Sequence, residues 1–326
     1  MRVLIVTTMY PTMRNPGFGI FIKEQVDSLR EAGIDVKVQA FLTKGRKGAN
    51  GYLRVVRNLQ RTVREHNYDI VHAHYGLTGA VARMQWQRPL IVTFHGSDLI
   101  GVVNNQYQYT TKGWLTTVIS RAVALAATHN IVVSHKLQAK LWLKRNSSII
   151  PMGVDLDMFK PLLAEQAREQ LGLTSDRKRV LFLWPPHLPI KRFDVAQQAV
   201  VHLQHRGMNV ELLPVHTASH DQIPLYMNAC DALVLTSMHE ASPCVIKEAL
   251  ACNLPIVSVD VGDVAERIRK VDGCYLCERQ PQDVADKLQR VLQSERRIQG
   301  RDTIRHLSLA NIAHRVIEVY EAVLQQ

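Results

Sequence analysis

Residues 232–259 read ALVLTSMHEASPCVIKEALACNLPIVSV, and this stretch decides the fold. Two short apolar runs, ALVLTS and PIVSV, stand at its ends, and the segment between them has a helical pattern from Cys244 onward. Apolar strands that alternate with helices are typical of βαβ units, in which helices cover both faces of a parallel sheet. The stretch therefore predicts an α/β protein with a doubly wound parallel sheet.

The same alternation continues through most of the chain. In the first half, the predicted strands are VLIV at residues 3–6, VKVQAF at 36–41, IVHAH at 70–74, LIVTFH at 90–95 and IVVS at 131–134. In the second half, they are VLFLW at 180–184, VELLPV at 210–215, ALVLTS at 232–237, PIVSV at 255–259 and CYLC at 274–277. Between the two sets, the prolines and glycine of IIPMGVDLDMFKP, residues 149–161, interrupt both periods.

We therefore expect two Rossmann-like domains with a cleft between them. The first covers residues 1–155 and the second covers residues 156–308. The apolar stripe of the last segment predicts a helix over residues 309–326, and we expect this helix to pack back onto the first domain.

Composition places the chain among ordinary globular proteins. Of its 326 residues, 46% are hydrophobic and 21% are charged, and the length suits about two domains. The first apolar run is too short for a secretory signal, and no later window is apolar over about 18 residues. We therefore expect a cytoplasmic protein that does not span a membrane, with its five cysteines reduced. The net charge of +11 favours an anionic partner.

The helix in the opening stretch is predicted to bind a phosphate at its start. Ser242 is a good N-cap, Pro243 suits the first turn, and the helix is expected to run from Cys244 to Asn253. The backbone N–H groups of Cys244 and Val245 would have no intrahelical acceptor. Together with the helix dipole, they would attract a phosphate at the carboxyl edge of the sheet.

Two acids, Glu240 and Glu248, flank this helix start. A carboxylate beside a phosphate is unfavourable, so each acid is better placed to accept hydrogen bonds from neutral hydroxyls. One arrangement satisfies both, with a sugar at Glu240, a diphosphate at the helix start and a ribose at Glu248. The alternative is that both acids are surface residues that the helix dipole favours without any ligand.

The spacing Glu240-x7-Glu248, followed by ALACNLPIVSVDVGDVAE, resembles the E-x7-E region of family 4 of the retaining glycosyltransferases, which have the GT-B fold and use nucleotide sugars. Nearly the whole chain is covered in the family's order. The other matching segments are TFHGSD at residues 93–98, IVVS at 131–134, IIPMGVDLDMF at 149–159 and PIKRFDVAQQAV at 189–200. The start, MYPTMRNPGFGIFIKEQVDSLREAGIDVKV, resembles the teichuronic-acid type of polysaccharide-assembly glycosyltransferases.

This resemblance implies a metal-independent enzyme that moves a sugar from a UDP- or GDP-type donor to a saccharide or lipid-linked acceptor, with retention of configuration. No cofactor and no nucleic-acid partner are expected. The implied catalytic residues are His95, Asp98 and Glu240, and the implied donor-binding residues are Gly17, Gly19, Lys191, Arg192, Ser242, Cys244, Val245 and Glu248.

The resemblance also implies what these residues contact. Glu240 and His95 would face the donor sugar, with Asp98 near it, and Glu248 would bind the ribose. Lys191 would act as a point charge on the diphosphate, helped by Arg192. The absence of a side chain at Gly17 or Gly19 would let the backbone of the first domain approach the phosphate.

The chain departs from the family pattern after the strand at residues 180–184. The family's arginine on the diphosphate is replaced by Pro185 or its neighbour, and the short loop HTASHDQ leaves the nucleobase open. Two alternatives therefore remain, a nucleotide-sugar-binding regulatory subunit without transfer activity and a GT-B nucleotide-sugar epimerase. An NAD-dependent oxidoreductase is disfavoured, because the loop after the first strand lacks G-x-G-x-x-G.

Two further clusters have competing interpretations. Strand alternation puts His72 and His74 on one side of a strand near His95, but no carboxylate or cysteine completes a metal site, so a structural or cleft-lining role is expected. From Lys44 to Arg64 there are seven basic residues and no acid. On a helix from about Tyr52, one basic face would comprise Arg54, Arg57, Arg61 and Arg64. This face is either a solvated surface or a contact with the anionic inner face of the membrane.

Overall fold

The computed structural model describes residues 1–41, 49–104, 106 and 108–326. The chain forms two compact units. Unit 1 contains Met1–Asn104, Gln108–Gly153 and Leu309–Gln326, and unit 2 contains Val154–Ser308. The chain thus passes from unit 1 to unit 2 after Gly153, and the C-terminal helix belongs to unit 1.

Unit 1 is built on a six-stranded parallel sheet with the order β2-β1-β3-β4-β5-β6. Its strands are β1 (Arg2–Thr7), β2 (Asp35–Ala40), β3 (Ile70–His74), β4 (Leu90–Phe94), β5 (His129–Val132) and β6 (Ser147–Ile149). Its helices are α1 (Ile20–Glu31), α2 (Ala49–Glu65), α3 (Gly76–Arg83), α4 (Ser97–Ile100), α5 (Thr111–Ala126), α6 (His135–Gln138) and α13 (Leu309–Leu324).

Unit 2 is built on a five-stranded parallel sheet with the order β11-β10-β9-β7-β8. Its strands are β7 (Lys178–Phe182), β8 (Val210–Pro214), β9 (Ala232–Leu235), β10 (Ile256–Val259) and β11 (Tyr275–Cys277). Its α-helices are α7 (Ala164–Leu171), α8 (Phe193–His205), α9 (Ile223–Ala229), α10 (Cys244–Ala251), α11 (Val264–Ile268) and α12 (Pro281–Ser294). Three 3₁₀ segments complete it, Pro189–Lys191, His220–Gln222 and Arg301–Leu307.

The strands are apolar because helices cover both faces of each sheet. Every residue of β3, β4, β9 and β10 is buried. The prediction of a doubly wound α/β fold is confirmed, with all ten predicted strands present. β6 was not predicted, because it is three residues long and begins with two serines, so its sequence has no apolar signal.

Strand order determines where polar loops meet. In each sheet the order reverses beside the first strand, between β1 and β3 in unit 1 and between β7 and β9 in unit 2. In open parallel sheets, ligands bind outside the carboxyl ends of the strands at such a reversal. The loops that follow β7 and β9 contain Lys191 and Glu240, respectively.

Helix α2 begins at Ala49, three residues before the predicted start at Tyr52. The predicted basic run also included Lys44, Arg46 and Lys47, which lie outside the described residues. Among the helices that the structure describes, none is long and apolar enough to cross a bilayer.

Candidate functional site

Lys191 and Glu240 form an ion pair at the carboxyl edge of the unit 2 sheet. The Lys191 Nζ lies 2.5 Å from Glu240 Oε1, and the two side chains are 10% and 16% exposed. The sequence predicted both residues as ligand contacts but gave no sign that they pair, since they are separated by 49 positions. The structure brings one positive and one negative group to the same place.

The Lys191 ammonium also lies over an aromatic ring. Its Nζ is 3.5 Å from the centroid of Trp184, in the loop after β7 where the family pattern has glycine and arginine. A cation over an indole face is attracted by the ring quadrupole. Trp184 and Glu240 therefore hold the ammonium in a defined position, and Trp184 is a site residue that the sequence reasoning missed.

Backbone contacts tie the loop after β7 to the end of β9. Thr236 Oγ1 donates to the carbonyl oxygens of Lys191 and Arg192, at 3.0 and 2.9 Å. The Met238 N–H donates to the Ile190 carbonyl at 2.8 Å. These bonds set the Lys191 backbone against the loop that leads to Glu240, so the ion pair rests on a fixed frame.

Arg279 supports the same loop from a distant part of the sequence. Its guanidinium donates to three successive carbonyls, those of Thr236, Ser237 and Met238, at 2.9 to 3.2 Å. Desolvation by burial, reinforced by the charge of Arg192, lowers the pKa of Arg279. The sequence offered no signal for this role, because it depends on a contact across about 40 positions.

The predicted N-cap was wrong by one residue. The cap position of α10 is Pro243, with φ −66° and ψ 121°, and it has no side-chain cap hydrogen bond. The Ser242 hydroxyl instead donates to Asp263 Oδ2 at 2.9 Å. The Ser242 hydroxyl therefore binds the side chain of Asp263 and makes no cap to the first turn of the helix. The helix also ends at Ala251, two residues before the predicted Asn253.

The loop after β10 packs against the backbone of Glu240 and Ala241. Gly262 has φ +55°, and a Cβ there would lie 2.5 Å from the Ala241 carbonyl oxygen and 3.0 Å from that of Glu240. Asp263, 2% exposed, binds Arg267 at 2.9 Å as well as Ser242. The turn thus requires glycine and positions the loop that carries Glu240.

The other predicted donor-binding groups lie on α10 and in the segment that follows β7. Cys244 and Val245 form the first turn of α10, and Glu248 lies in its second turn, half-buried. Arg192 is placed differently from the prediction. Its guanidinium makes a two-point ion pair with Asp194, at 2.8 to 3.2 Å, which offsets the charge expected to assist Lys191. The same pairing lowers the pKa of Asp194.

In unit 1, the site residues of the first domain lie at the ends of β3 and β4. His95 follows β4, and its Nε2 is 2.9 Å from Nδ1 of His74, the last residue of β3. The two ring planes are nearly parallel, 18° apart, and their centroids are 5.2 Å apart, which is the spacing of rings joined edge to edge by this hydrogen bond. Tyr75 and Phe21 lie on His95 with centroids 4.7 and 5.2 Å away.

A second buried histidine extends this cluster. His72 stacks on His74 at 4.7 Å, as strand alternation predicted for their side chains. Its Nδ1 is 2.6 Å from the Tyr320 hydroxyl of α13, and its Nε2 is 2.7 Å from Thr93 Oγ1. Burial lowers the pKa of His72 to about 3 and that of His74 well below its ordinary value. Both rings are therefore neutral at physiological pH.

Asp98 lies beneath the His95 loop and is 3% exposed. Its carboxylate accepts from the backbone N–H groups of Gly96, at 2.9 Å, and His95, at 3.3 Å. Burial raises the pKa of Asp98 to about 6, although hydrogen bonds from the backbone oppose this shift. These contacts hold the backbone of the His95 loop, and the catalytic role that the resemblance implies for Asp98 stays a prediction.

The two glycines after β1 differ. Gly19 has φ +73°, and a Cβ there would lie 2.6 Å from the Met9 carbonyl group. The close contact with the Met9 backbone therefore explains why glycine is required at position 19. A Cβ at Gly17 would meet nothing within 4 Å, so close approach of the chain does not explain that residue.

Two other predicted features are placed as follows. Arg54, Arg57, Arg61 and Arg64 are all exposed on α2, while Val55, Leu59 and Val63 face the core. Within the described part of the chain, no group of three or more histidine, cysteine, aspartate or glutamate side chains is arranged to hold a metal ion. The three histidines instead bind or stack on one another.

Family models match both halves of the chain. The model described as Glycosyltransferase Family 4 matches residues 17–158, and the model described as Glycosyl transferases group 1 matches residues 191–294. Each region falls mainly within one of the two structural units.

Curated relatives are glycosyltransferases of low identity. The putative teichuronic acid biosynthesis glycosyltransferase TuaC of Bacillus subtilis is 26% identical over 89% of this chain and 89% of its own length. The D-inositol 3-phosphate glycosyltransferase of Mycolicibacterium smegmatis is 25% identical over 76% of this chain and 65% of its own length.

Solved structures agree on the architecture. Sucrose-phosphate synthase from Thermosynechococcus elongatus superposes with a TM-score of 0.83, 18% identity and full coverage of both chains. Anabaena Alr3699/HepE, solved in complex with UDP-glucose, superposes with a TM-score of 0.75, 16% identity and coverage of 99% and 100%. The chain is therefore a glycosyltransferase with the GT-B fold, and it contains a family 4 region in residues 17–158 and a group 1 region in residues 191–294.

Proposed function

We propose that this glycosyltransferase uses a nucleoside-diphosphate sugar of the UDP type and retains the configuration at the transferred carbon. The observation that carries the proposal is the Lys191–Glu240 pair beside the start of α10, at the order reversal of the unit 2 sheet. The complexes of Anabaena Alr3699/HepE with UDP and with UDP-glucose support the choice of base.

Each polar group of unit 2 has a proposed task. One Lys191 N–H remains on Glu240 while the others bind the diphosphate, because an ammonium has three donors. Glu240 accepts a hydroxyl of the sugar through its second oxygen, and Glu248 accepts the ribose diol. The first-turn N–H groups of α10 and the positive end of its dipole add to the charge on the diphosphate side.

The proposed reaction needs no protein nucleophile. The acceptor hydroxyl oxygen forms a bond to the anomeric carbon as the bond from that carbon to the diphosphate oxygen breaks. The acceptor proton passes to the departing diphosphate, and attack on the face that the leaving group vacates gives retention. Lys191 and the start of α10 stabilise the negative charge that develops on the leaving group.

We propose that no metal is required, since Lys191 and the helix start supply positive charge where the leaving group develops its own. If EDTA abolished activity and a divalent ion restored it, this part of the proposal would be wrong. His95 is proposed to bind a hydroxyl of a substrate.

For the acceptor, we propose a saccharide or lipid-linked saccharide of envelope or extracellular polysaccharide assembly. The support is the match to TuaC, whose name places it in teichuronic acid biosynthesis. We propose that the enzyme acts in the cytoplasm at the inner face of the membrane.

The surface proposed for this membrane contact joins basic and apolar residues. Gln60 of the basic helix α2 donates to the Met84 carbonyl at 2.9 Å, and Met84 and Trp86 are 54% and 75% exposed. The Arg83 guanidinium lies 3.8 Å from the Trp86 centroid. Arginines beside an exposed tryptophan suit an anionic bilayer surface.

Vesicle co-sedimentation tests this contact. The wild type is expected to bind anionic vesicles and not neutral ones, and Arg57→Gln/Arg61→Gln/Arg64→Gln is expected to lose this binding. The matched control, Arg290→Gln/Arg296→Gln/Arg305→Gln, removes the same charge from exposed arginines of unit 2. Equal loss in both triple variants would show that net charge alone drives binding and would refute the proposed surface.

Hydrolysis of UDP-glucose, with water as the acceptor, tests the reaction. The product is expected to be α-glucose before mutarotation, and Glu240→Gln is expected to slow its release about 10- to 100-fold, since one charged hydrogen bond is lost. The exposed Glu278→Gln is the matched control and should react like the wild type. Initial release of β-glucose would refute retention, and tight binding without any turnover would favour a regulatory subunit.

A further inference from the structure

We propose that His74 is a positioning residue that fixes the tautomer of His95. In this arrangement, His74 donates its Nδ1 proton to His95 Nε2, and His95 carries its own proton on Nδ1. The bond itself rests on the geometry of unit 1, whereas the use of His95 toward a substrate rests on the proposed function.

The first step is the number of protons on His74. A neutral imidazole has one N–H donor and one bare acceptor nitrogen. His74 is fully buried between the rings of His72 and His95 and carries no charge at physiological pH. One of its two nitrogens therefore holds a hydrogen and the other does not.

The second step assigns that hydrogen. The Nδ1 atom lies 2.9 Å from His95 Nε2, whereas the Nε2 atom is buried and has no hydrogen-bond partner among the residues that the structure describes. A proton on Nε2 would leave a buried N–H with no acceptor, and orphaned N–H groups are rarer in proteins than under-used acceptors. The proton therefore belongs on Nδ1, where it has an acceptor.

The third step follows for His95. Because its Nε2 accepts from His74, a neutral His95 must hold its hydrogen on Nδ1. The ring is kept in this orientation by Tyr75 and Phe21, and the backbone N–H of His95 is bound to Asp98. His95 is then a donor, which suits an oxygen atom of a hydroxyl or phosphate.

The residues packed against His74 keep its ring in one orientation. His72 stacks on it at 4.7 Å, and His72 is itself held by Tyr320 and Thr93 at 2.6 and 2.7 Å. A rotation of the His74 ring would have to disturb this packing. The tautomer of His95 is thus determined by buried residues that need not touch a substrate.

Long-range ¹H–¹⁵N correlation spectra of the ¹⁵N-histidine-labelled enzyme test the assignment without any substrate. The His95 signals are identified by their loss in His95→Gln. The expected pattern has a protonated Nδ1 and a bare Nε2 for His95 and the same tautomer for His74. A protonated Nε2 on neutral His95 would overturn the proposal, whether or not the enzyme uses UDP-glucose.

Two substitutions separate positioning from packing. His74→Asn keeps an N–H donor near the Nδ1 position, whereas His74→Leu keeps bulk and removes the donor. For UDP-glucose hydrolysis, His74→Leu is expected to lose about three- to tenfold in kcat/KM relative to His74→Asn, the effect of one hydrogen bond. His74→Leu is also expected to shift His95 toward a mixture of tautomers.

The control is His129→Leu, which removes a different histidine hydrogen bond, from Nε2 to Ser148 Oγ at 2.9 Å, in the same sheet. It should leave the His95 spectrum unchanged. If both His74 variants had the same rate and the same His95 tautomer as the wild type, His74 would be a packing residue only. If the wild type gave the predicted spectrum but did not hydrolyse UDP-glucose, the proposed function would be refuted. The tautomer assignment would remain valid.

Discussion

At the scale of single residues, the site of unit 2 is defined by the Lys191–Glu240 pair. Its two charges are mostly buried and bind each other. An ion pair of this kind resists removal of one member, because the remaining charge is left buried without compensation. In the proposed function, a substrate would meet charges that are already positioned, since an ammonium has further N–H donors and a carboxylate has a second oxygen.

The glycine that supports Glu240 gives a stability prediction. Gly262→Ala is expected to reduce the free energy of unfolding by about 2–4 kcal/mol, since the new Cβ would strain a left-handed backbone and collide with Ala241. Gly207→Ala is the matched control, because Gly207 has φ +83° but nothing within 4 Å. It should lose only about 1 kcal/mol, from backbone strain alone. Equal losses in urea unfolding would show that the contact with Ala241 is unimportant.

The buried histidines predict a loss of stability in acid. The folded pKa of His72 is about 3, and the unfolded value is near 6.5, so the unfolded chain binds more protons between these two values. The contribution of His72 to the free energy of unfolding should therefore fall as pH drops from about 6.5 toward about 3.

Urea titrations of the wild type and His72→Phe at several pH values measure this effect. The variant loses two hydrogen bonds and should be less stable at neutral pH, but its stability should fall less steeply in acid. His205→Asn is the control, since the exposed His205 is solvated in both states. Parallel pH profiles for the wild type and His72→Phe would contradict the assignment of His72 as a buried neutral group.

The sequence predicted arrangements of residues that are close together in the chain, but it did not predict contacts between residues that are far apart in it. Alternation along β3 correctly placed His72 and His74 on one side, because strand geometry is local. The contact of His72 with Tyr320 spans 248 positions, and no periodic pattern encodes such a partner. For the same reason, the sequence indicates Lys191 and Glu240 as site residues but does not indicate that they bind each other.

At the scale of elements, α10 shows how a tertiary contact overrides a local rule. Ser242 followed by proline favours an N-cap at the serine. Asp263 lies 21 positions later in the chain and binds that hydroxyl, so the helix begins without a side-chain cap. The existence of the helix and its first residue were predicted, whereas the predicted cap and the predicted last residue were wrong.

A stability prediction at the scale of elements concerns helix α13. Its buried face comprises Ile312, Ala313, Val316, Val319, Tyr320 and Val323, and it packs beside α1 in unit 1. Ile312→Ala is expected to lower the free energy of unfolding by about 2–5 kcal/mol, because it leaves a cavity in the core. His314→Ala, on the exposed face of the same helix, should change it by less than about 0.5 kcal/mol. Similar effects at both positions would show that α13 does not contribute to the core.

The strands were predicted better than the helix ends or the short elements. Fully buried strands such as β3 and β9 are continuous apolar runs, which is a strong signal. β6 has only three residues and two serines, and α4 and α6 have four residues each, too few for a period to appear. Their positions follow from packing rather than from sequence pattern.

At the scale of the whole molecule, two parallel sheets each have a strand-order reversal with polar loops at its carboxyl edge. The sequence predicted both sheets, because alternation of strands and helices is repeated along the chain. The comparisons agree with this architecture and with glycosyl transfer. The donor, the acceptor and the stereochemistry depend on individual side-chain contacts. Relatives of low overall identity need not share those contacts with this chain.

Calorimetric titration of UDP, GDP and ADP into the wild type, Lys191→Met and Lys191→Met/Glu240→Gln tests whether unit 2 binds a nucleoside diphosphate at the Lys191–Glu240 pair. UDP is expected to bind the wild type more tightly than the other two nucleotides. Both variants are expected to bind UDP at least about tenfold more weakly, because the charged donors of Lys191 are lost. The double variant removes both charges and so avoids a buried unpaired one, which keeps the protein folded. Binding of UDP with unchanged affinity by both variants, or no binding of any nucleotide to the wild type, would show that the pair is not the nucleotide site.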